Sequence, residues 1–541
     1  MRGRGAFAAA VAALLLIPAT ATAAPLPPGA VASDNLEYVK WVPDTRQVVE
    51  GKFDRVRGKK VLVITGRFGF KTLDVSDPKN PKPLDDFLPA DLEADGYWQN
   101  EDMELDTKRK LIIGALDPRH TEKGATATSP CPPGGSVLLP TCRSGFYVIS
   151  YADPANLRQV GDFVSLPSGH TSSCIQGCKY LWTGGPARRS DQDWLGAIIS
   201  PDAALPPSLN NRPIGNGRPI WVTDLRDASH PQVSDEPIDL WRNDGYTDYS
   251  HDVDEDARGI AWVAGRGGMR GYATKGWHRD PYQNRWRKAS PFDPILVAGG
   301  GVEWDDPAVP GDDGIAQPTD FMHNSGRPTD GKVRASGVKK NNILIGTEEE
   351  FQDCENSGRI VSIDLTDSLG GEPAQQSTRA NPYRMDVLDS FHPLKDTDET
   401  AGDECSAHYF EIEGPMLGAA WYSQGLRLLD IHDARDLRQV GFYRVIDPTP
   451  ADPTTDPSSL SWDVAFTSDR RKGDLVYLFD MQRGVEVLRL KKGANHAKRY
   501  RNVTAPSMKR DRAAARVIGG LDARASASGG VSYVCPLFAT S

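Results

Sequence analysis

Ten histidines stand in a chain of 541 residues, and four of them recur at long, near-regular intervals: His170, His251, His323 and His408. The steps, from 170 to 251 to 323 to 408, are 81, 72 and 85 residues. Imidazole nitrogen is a ligand for iron, copper and zinc. Four imidazoles meeting at one place, joined by Glu101, would hold a transition metal ion and leave a position for water or substrate. Asp102 and Asp252 directly follow Glu101 and His251, and Asp463 holds the same place after Trp462. Neighbours on a strand point to opposite faces. These three carboxylates are therefore expected to face away from the ligands and to support them from behind. A second reading stays open for the histidines. Each ring could donate to the backbone of a neighbouring unit and orient a connecting loop.

Elements spaced 72 to 85 residues apart can bring such residues together only if the chain repeats. One pattern does recur, with a β-rich run, a glycine, an apolar alternation, an aspartate and a turn. "GFKTLDVSDPKNPKPL" begins at Gly69, "GFYVISYADPANLRQVGDF" at Gly145, "RPIWVTDLRDASHPQV" at Arg218, and a weaker "GMRGYAT" at Gly268. "GRIVSIDLTDSLGG" begins at Gly358, "GLRLLDIHDARDLRQVGFY" at Gly425, and "GVEVLRLKKG" at Gly484. A further strand pair precedes each copy, of which "KKVLVITG" and "GDLVYLFD" are second strands. Period-two alternation and β-branched and aromatic residues mark these runs as strands.

Seven units of about four short strands predict an all-β, seven-bladed β-propeller. The blades are expected near 45–90, 91–167, 168–245, 246–300, 315–392, 405–447 and 460–494. "NLEYVKWVPD" resembles the outer-strand segments "NLRQVGDFV" and "DLRQVGFYR" but precedes the first unit. Residues 35–43 are therefore expected to supply the outer strand of the last blade, closing the ring. The propeller then spans 35–494, and 495–541 form a basic, polar tail. The innermost strands line a propeller's channel. Counted back from the second strands, they begin at Lys52, Glu101, His170, His251, His323, His408 and Trp462.

These repeats resemble the LVIVD repeat family of exported bacterial and archaeal proteins. "VLVITGRFGFKTLDVSDPKNP" and "GAAWYSQGLRLLDIHDARDLRQVG" carry the resemblance, which covers roughly residues 35–490. The literal LVIVD string is absent, and blades 4 and 5 carry insertions. The resemblance implies a secreted or surface-attached propeller and no particular activity.

Residues 1–24 have the form of a secretory leader, with Arg2 and Arg4 before an apolar run and small residues at the cleavage site. The run is too short to span a bilayer, and no later run is long enough. The formal charge of −10 becomes −12 without the two leader arginines, which disfavours nucleic acid and anionic membrane surfaces as partners. An unknown protein or small molecule is the expected partner of a monomeric chain.

Export makes disulfides expected among the seven cysteines. Cys131–Cys142, Cys174–Cys178 and Cys354–Cys405 are the candidate pairs, with Cys535 left over. "DVDEDARG" at 252–259 does not complete a calcium-loop spacing, so Asp256 is expected in a solvated turn. Glu348, Glu349, Glu350 and Asp353, with Asp396, Asp398, Glu399, Asp403 and Glu404, could hold calcium or form a solvated acidic face. Two functions fit. One is an exported binding or scaffold protein acting through its channel mouth and long loops. The other is a metal-dependent enzyme, an oxidoreductase among the options, built on the histidines.

Overall fold

The computed structural model describes residues 24–90, 101–116, 144–186, 216–239, 250–299, 322–349, 358–393, 406–445 and 459–491, apart from 167, 266–267, 282, 367, 370–384 and 470–472. Among these residues there is no helix, and seven small antiparallel sheets stand in a ring as a seven-bladed propeller. Each expected second strand is present, from Lys59–Gly66 in blade 1 to Gly473–Asp480 in blade 7.

Burial explains the composition of the strands. A second strand is covered by a neighbouring blade on each face, so it reads as a continuous apolar run. Val61, Leu62, Val63 and Ile64 are all fully buried. The outer strand Lys82–Phe87 lies at the rim and is largely polar and accessible. The cores lie between adjacent blades. Trp262 and Met269 of blade 4, for example, share one cluster with Leu344 and Val361 of blade 5.

The repeated glycine and aspartate have local causes. Gly69 starts the third strand of blade 1 at φ 89°, and a Cβ there would meet the Phe87 carbonyl. Only glycine takes that conformation without strain. The aspartate that ends a third strand accepts from the amide two residues on. Asp74 does so with Ser76 at 3.0 Å, Asp364 with Thr366 at 2.7 Å and Asp430 with His432 at 3.0 Å. This short side chain folds the chain back into the outer strand.

Ring closure follows the sequence expectation. Leu36–Val42 pairs antiparallel with Gly484–Leu490 as the outer strand of blade 7. The same segment goes further, because Ala30–Ala32 adds a fifth strand to blade 6 against Arg438–Val445. Three residues at this depth carry too little periodicity to be read from sequence.

In blades 2 and 3 the outer strand is broken into two short pieces, Arg158–Gln159 with Val164–Ser165 and Gln232–Val233 with Ile238–Asp239. Gly161, at φ 70°, sits in the first interruption. "WHRDPYQNRWR" forms a hairpin, Trp277–Asp280 with Arg285–Lys288, ahead of the outer strand of blade 4. Trp277 and Trp286 are 66% and 67% exposed there.

Candidate metal centre

The starts of three inner strands carry an irregularity that sets the level of the site. The ladder of blade 1 slips between Val48 and Glu50, that of blade 5 between Met322 and Asn324, and that of blade 7 between Ser461 and Asp463. Each slip leaves one residue outside the pairing: Val49, His323 and Trp462. In blades 3, 4 and 6 the equivalent places belong to His170, His251 and His408, whose amides bond the second strands through Gly184, Ala264 and Ala420. Register therefore puts Val49, and not Lys52, in line with the histidines. Lys52 lies three residues further along, where counting back from a strand end could not detect a bulge.

The four imidazoles and Glu101 come together, and all five are fully buried. Ring centroids step round the axis at 4.6 Å from His170 to His251, 4.1 Å to His323, 3.9 Å to His408 and 4.4 Å to Trp462. His251 Nδ1 lies 2.9 Å from the His323 carbonyl, and His408 Nδ1 lies 2.6 Å from the Trp462 carbonyl. A ring nitrogen facing a carbonyl must donate. The structural role weighed from sequence is thus present, and it leaves Nε2 of each ring with its lone pair. With His251 neutral and donating through Nδ1, the proton in the 2.8 Å contact between the Nε2 atoms of His170 and His251 belongs to His170.

Glu101 Oε2 stands 3.5 Å from Nε2 of both His323 and His408. One donor atom each from Glu101, His251 and His323 lies within 4.8 Å of the others, and the same holds for His323, Glu349 and His408. Two ligands of one ion sit no more than about 4.2 Å apart when each bond is about 2.1 Å, so small movements would suffice to share it. Both ring nitrogens of His323, and Nε2 of His408, lack a hydrogen-bond partner among the described residues. A buried polar atom left without one costs roughly 1–3 kcal/mol, and a metal ion would satisfy Nε2 of His408 and one nitrogen of His323, whose other nitrogen carries the ring proton. Burial pushes His408 down to about 4, and burial followed by the neighbouring imidazoles holds His323 well below its usual range. Neutral rings are the form that ligates.

Glu349 was expected on an acidic surface with Glu348. It is instead fully buried, 3.9 Å from His408 Nε2, and accepts from the Tyr422 hydroxyl. Glu348 is buried too, paired with Arg359 at 2.9 Å. The available signal was position, because Glu349 directly follows the second strand of blade 5, Ile343–Glu348.

The carboxylates behind the histidines also differ from expectation. Asp102, Asp252 and Asp463 do not hydrogen bond an imidazole among the described residues. They line a central cavity of about 800 Å³ that runs along the inner strands from Tyr409 to the turn residues Thr107 and Thr329. At Asp463 the bulge that leaves Trp462 unpaired breaks strict alternation along the strand. Lys52 reaches Glu50 and Asp102 at 3.1 Å and Glu104 at 3.5 Å. Burial pushes Asp102 up to about 6, Asp254 and Glu411 to about 7 and Asp463 to about 8.

Other expectations have plain outcomes. Cys174 and Cys178 form a disulfide with Cα atoms 4.3 Å apart. Cys131, Cys142, Cys354, Cys405 and Cys535 lie outside the described residues, as do residues 1–23 of the leader, the tail, Glu350, Asp353 and 396–404. Asp256 is buried and does not sit in a solvated turn. Its carboxylate gathers Arg327 of blade 5 at 2.7 Å, Trp262 Nε1 at 3.1 Å and the amides of Arg258 and Ile260. Sequence periodicity could not disclose a partner 71 residues away. Among the described residues no helix is long and apolar enough to cross a membrane.

No family model matches this chain, and no curated protein matches it. Solved structures do. The extracellular domain assigned to a hybrid two component system of B. thetaiotaomicron is 10% identical, with TM-score 0.41, over 84% of this chain and 39% of that one. This chain therefore spans well under half the length of that neighbour. The Cps50 (Swd1) β-propeller domain of Myceliophteria thermophila is 8% identical, with TM-score 0.41, over 84% of this chain and 99% of that one. Sqt1 of Saccharomyces cerevisiae is 9% identical, with TM-score 0.41, over 86% and 93%. At such identities and TM-scores the likeness carries nothing further to this chain, whose seven-bladed propeller rests on its own strand pairing.

Proposed function

We propose that this chain is an exported, LVIVD-type propeller that holds a transition metal ion at its axis. His323 and His408 with Glu101 are the core of the ligand set, and His251 and His170 would join it on giving up the hydrogen bond between their Nε2 atoms. Iron, copper and zinc all accept imidazole; such an ion supplies Lewis-acid or redox chemistry. The single observation that carries the reading is the buried, partnerless nitrogens of His323 and His408 beside Glu101. The chain's own groups complete the site. Backbone carbonyls of His323 and Trp462 orient two rings and fix their tautomers. Burial keeps the His323 and His408 rings neutral. Tyr422 fixes Glu349 against His408.

Export is supported by the leader-like residues 1–24 and by the Cys174–Cys178 disulfide, which suits an oxidising compartment. The propeller fold is also consistent with a binding or scaffold role, and the exposed Trp277 and Trp286 hairpin favours a partner surface. Elemental analysis of the purified chain, followed by titration with Fe(II), Cu(II) and Zn(II), tests the metal reading. One equivalent of metal, lost in His323→Ala and His408→Ala, is expected. No metal and no uptake would sink it.

A further inference from the structure

The central cavity has a charge problem that the metal centre does not solve. Eight carboxylates and two cationic side chains, Lys52 and Arg327, line it. Both cations are already committed. Lys52 holds Glu50, Asp102 and Glu104, and Arg327 holds Asp256 at 2.7 Å. Among the described residues no Lys or Arg forms an ion pair with Asp252, Asp254 or Asp463. Two hydroxyls in the same wall lack hydrogen-bond partners among the described residues, Tyr409 Oη and Ser325 Oγ. Tyr409 is 8% and Ser325 3% exposed. The Tyr409 ring lies 4.6 Å from that of His323. It stands where the cavity meets the histidines.

We propose that this cavity binds a small organic cation of the amine class, with Asp252, Asp254 and Asp463 facing its charge and the Tyr409 and Ser325 hydroxyls completing its hydrogen bonds. A point charge such as a metal ion fits less well. No three of these carboxylates bring oxygens within 4.8 Å of one another, in contrast to the histidine groups. Charge spread through about 800 Å³ suits a ligand whose own donors are spread, and the volume lies in the range of small-molecule sites. This names the substrate class of the proposed metal centre and rests on that centre for any reaction, but not for binding.

The test uses the full chain stripped of metal by a chelator. Isothermal titration compares 1,4-diaminobutane with 1,4-butanediol, its neutral isostere, at low ionic strength and at about pH 9, where the diamine is still cationic and the channel acids Asp254 and Asp463 are ionised. The diamine should bind at least about tenfold more tightly than the diol. Asp463→Asn and Asp254→Asn should each weaken it by roughly tenfold, and Tyr409→Phe by about threefold. The asparagine variants remove buried like charge and keep shape, so folding, checked by circular dichroism, is retained. Equal binding of diol and diamine, or unchanged diamine binding in all three variants, would overturn the proposal. Failure of the metal reading registers separately as an empty elemental analysis and leaves the diamine isotherm unchanged.

Discussion

Asp256 offers a direct test of how adjacent blades are locked together. Its carboxylate takes two backbone amides, Arg258 at 2.8 Å and Ile260 at 3.1 Å, the Trp262 indole at 3.1 Å, and Arg327 at 2.7 Å. Both ionic side chains are fully buried. In Asp256→Ala the three neutral bonds are lost at about 1 kcal/mol each. The guanidinium is left buried without its counter-charge, a loss of about 3–5 kcal/mol when one partner is removed. Arg327 keeps the Asn341 carbonyl at 2.8 Å and the Asn342 side chain at 3.2 Å, which places that loss at the low end. The sum is about 6 kcal/mol. Arg327→Met removes the charge instead and should cost about 3 kcal/mol, and in the double variant the unpaired charge no longer exists. A double-mutant cycle by urea denaturation should therefore give a coupling of about 2–3 kcal/mol. Losses below about 1 kcal/mol for each single variant, adding without coupling, would refute the buried clamp and restore a solvated turn.

Acid should act on the histidines. His408 sits at about 4 in the folded chain against about 6.5 unfolded. Its folded pKa is depressed, so the unfolded state takes the proton first, and stability falls as pH drops from about 6.5 to 4, by about 3 kcal/mol in all. Chemical denaturation at pH 7 and pH 4.5 checks this, and His408→Gln should flatten the difference. The channel acids run the other way. Asp463 is raised to about 8, so its contribution worsens as pH rises from about 4 through 8, and Asp463→Asn should gain stability over wild type at pH 9 but not at pH 4. If the axial site takes an ion, metal at a hundred times its Kd should stabilise the chain by about 2.7 kcal/mol, seen as a rise in Tm absent from His323→Ala. Leu36, 6% exposed on the closing strand and sharing a core with Leu488 and Leu490, should cost about 2–4 kcal/mol as Leu36→Ala; a near-neutral change in thermal melting would mean the closing strand bears little of the ring's stability.

The repeat was legible because each blade must restate the same local chemistry. Every second strand is buried on both faces along its middle, so "VLVI" and "LVYLF" stay apolar throughout. Third strands recur with glycine at a positive φ and an aspartate that caps the following turn. These signals are local, and they carried the blade count and the closing strand Leu36–Val42. The recurrence of histidine was local as well. Tertiary structure decided what local pattern cannot encode. Bulges leave Val49, His323 and Trp462 outside the pairing, which sets Val49 and not Lys52 at the histidine level, and Asp463 follows one of them into the cavity wall. Partners far apart in sequence decided the fate of charge, with Arg327 burying Asp256 and Tyr422 and His408 burying Glu349. A carboxylate in a polar run looks solvated until the blade that covers it is in place.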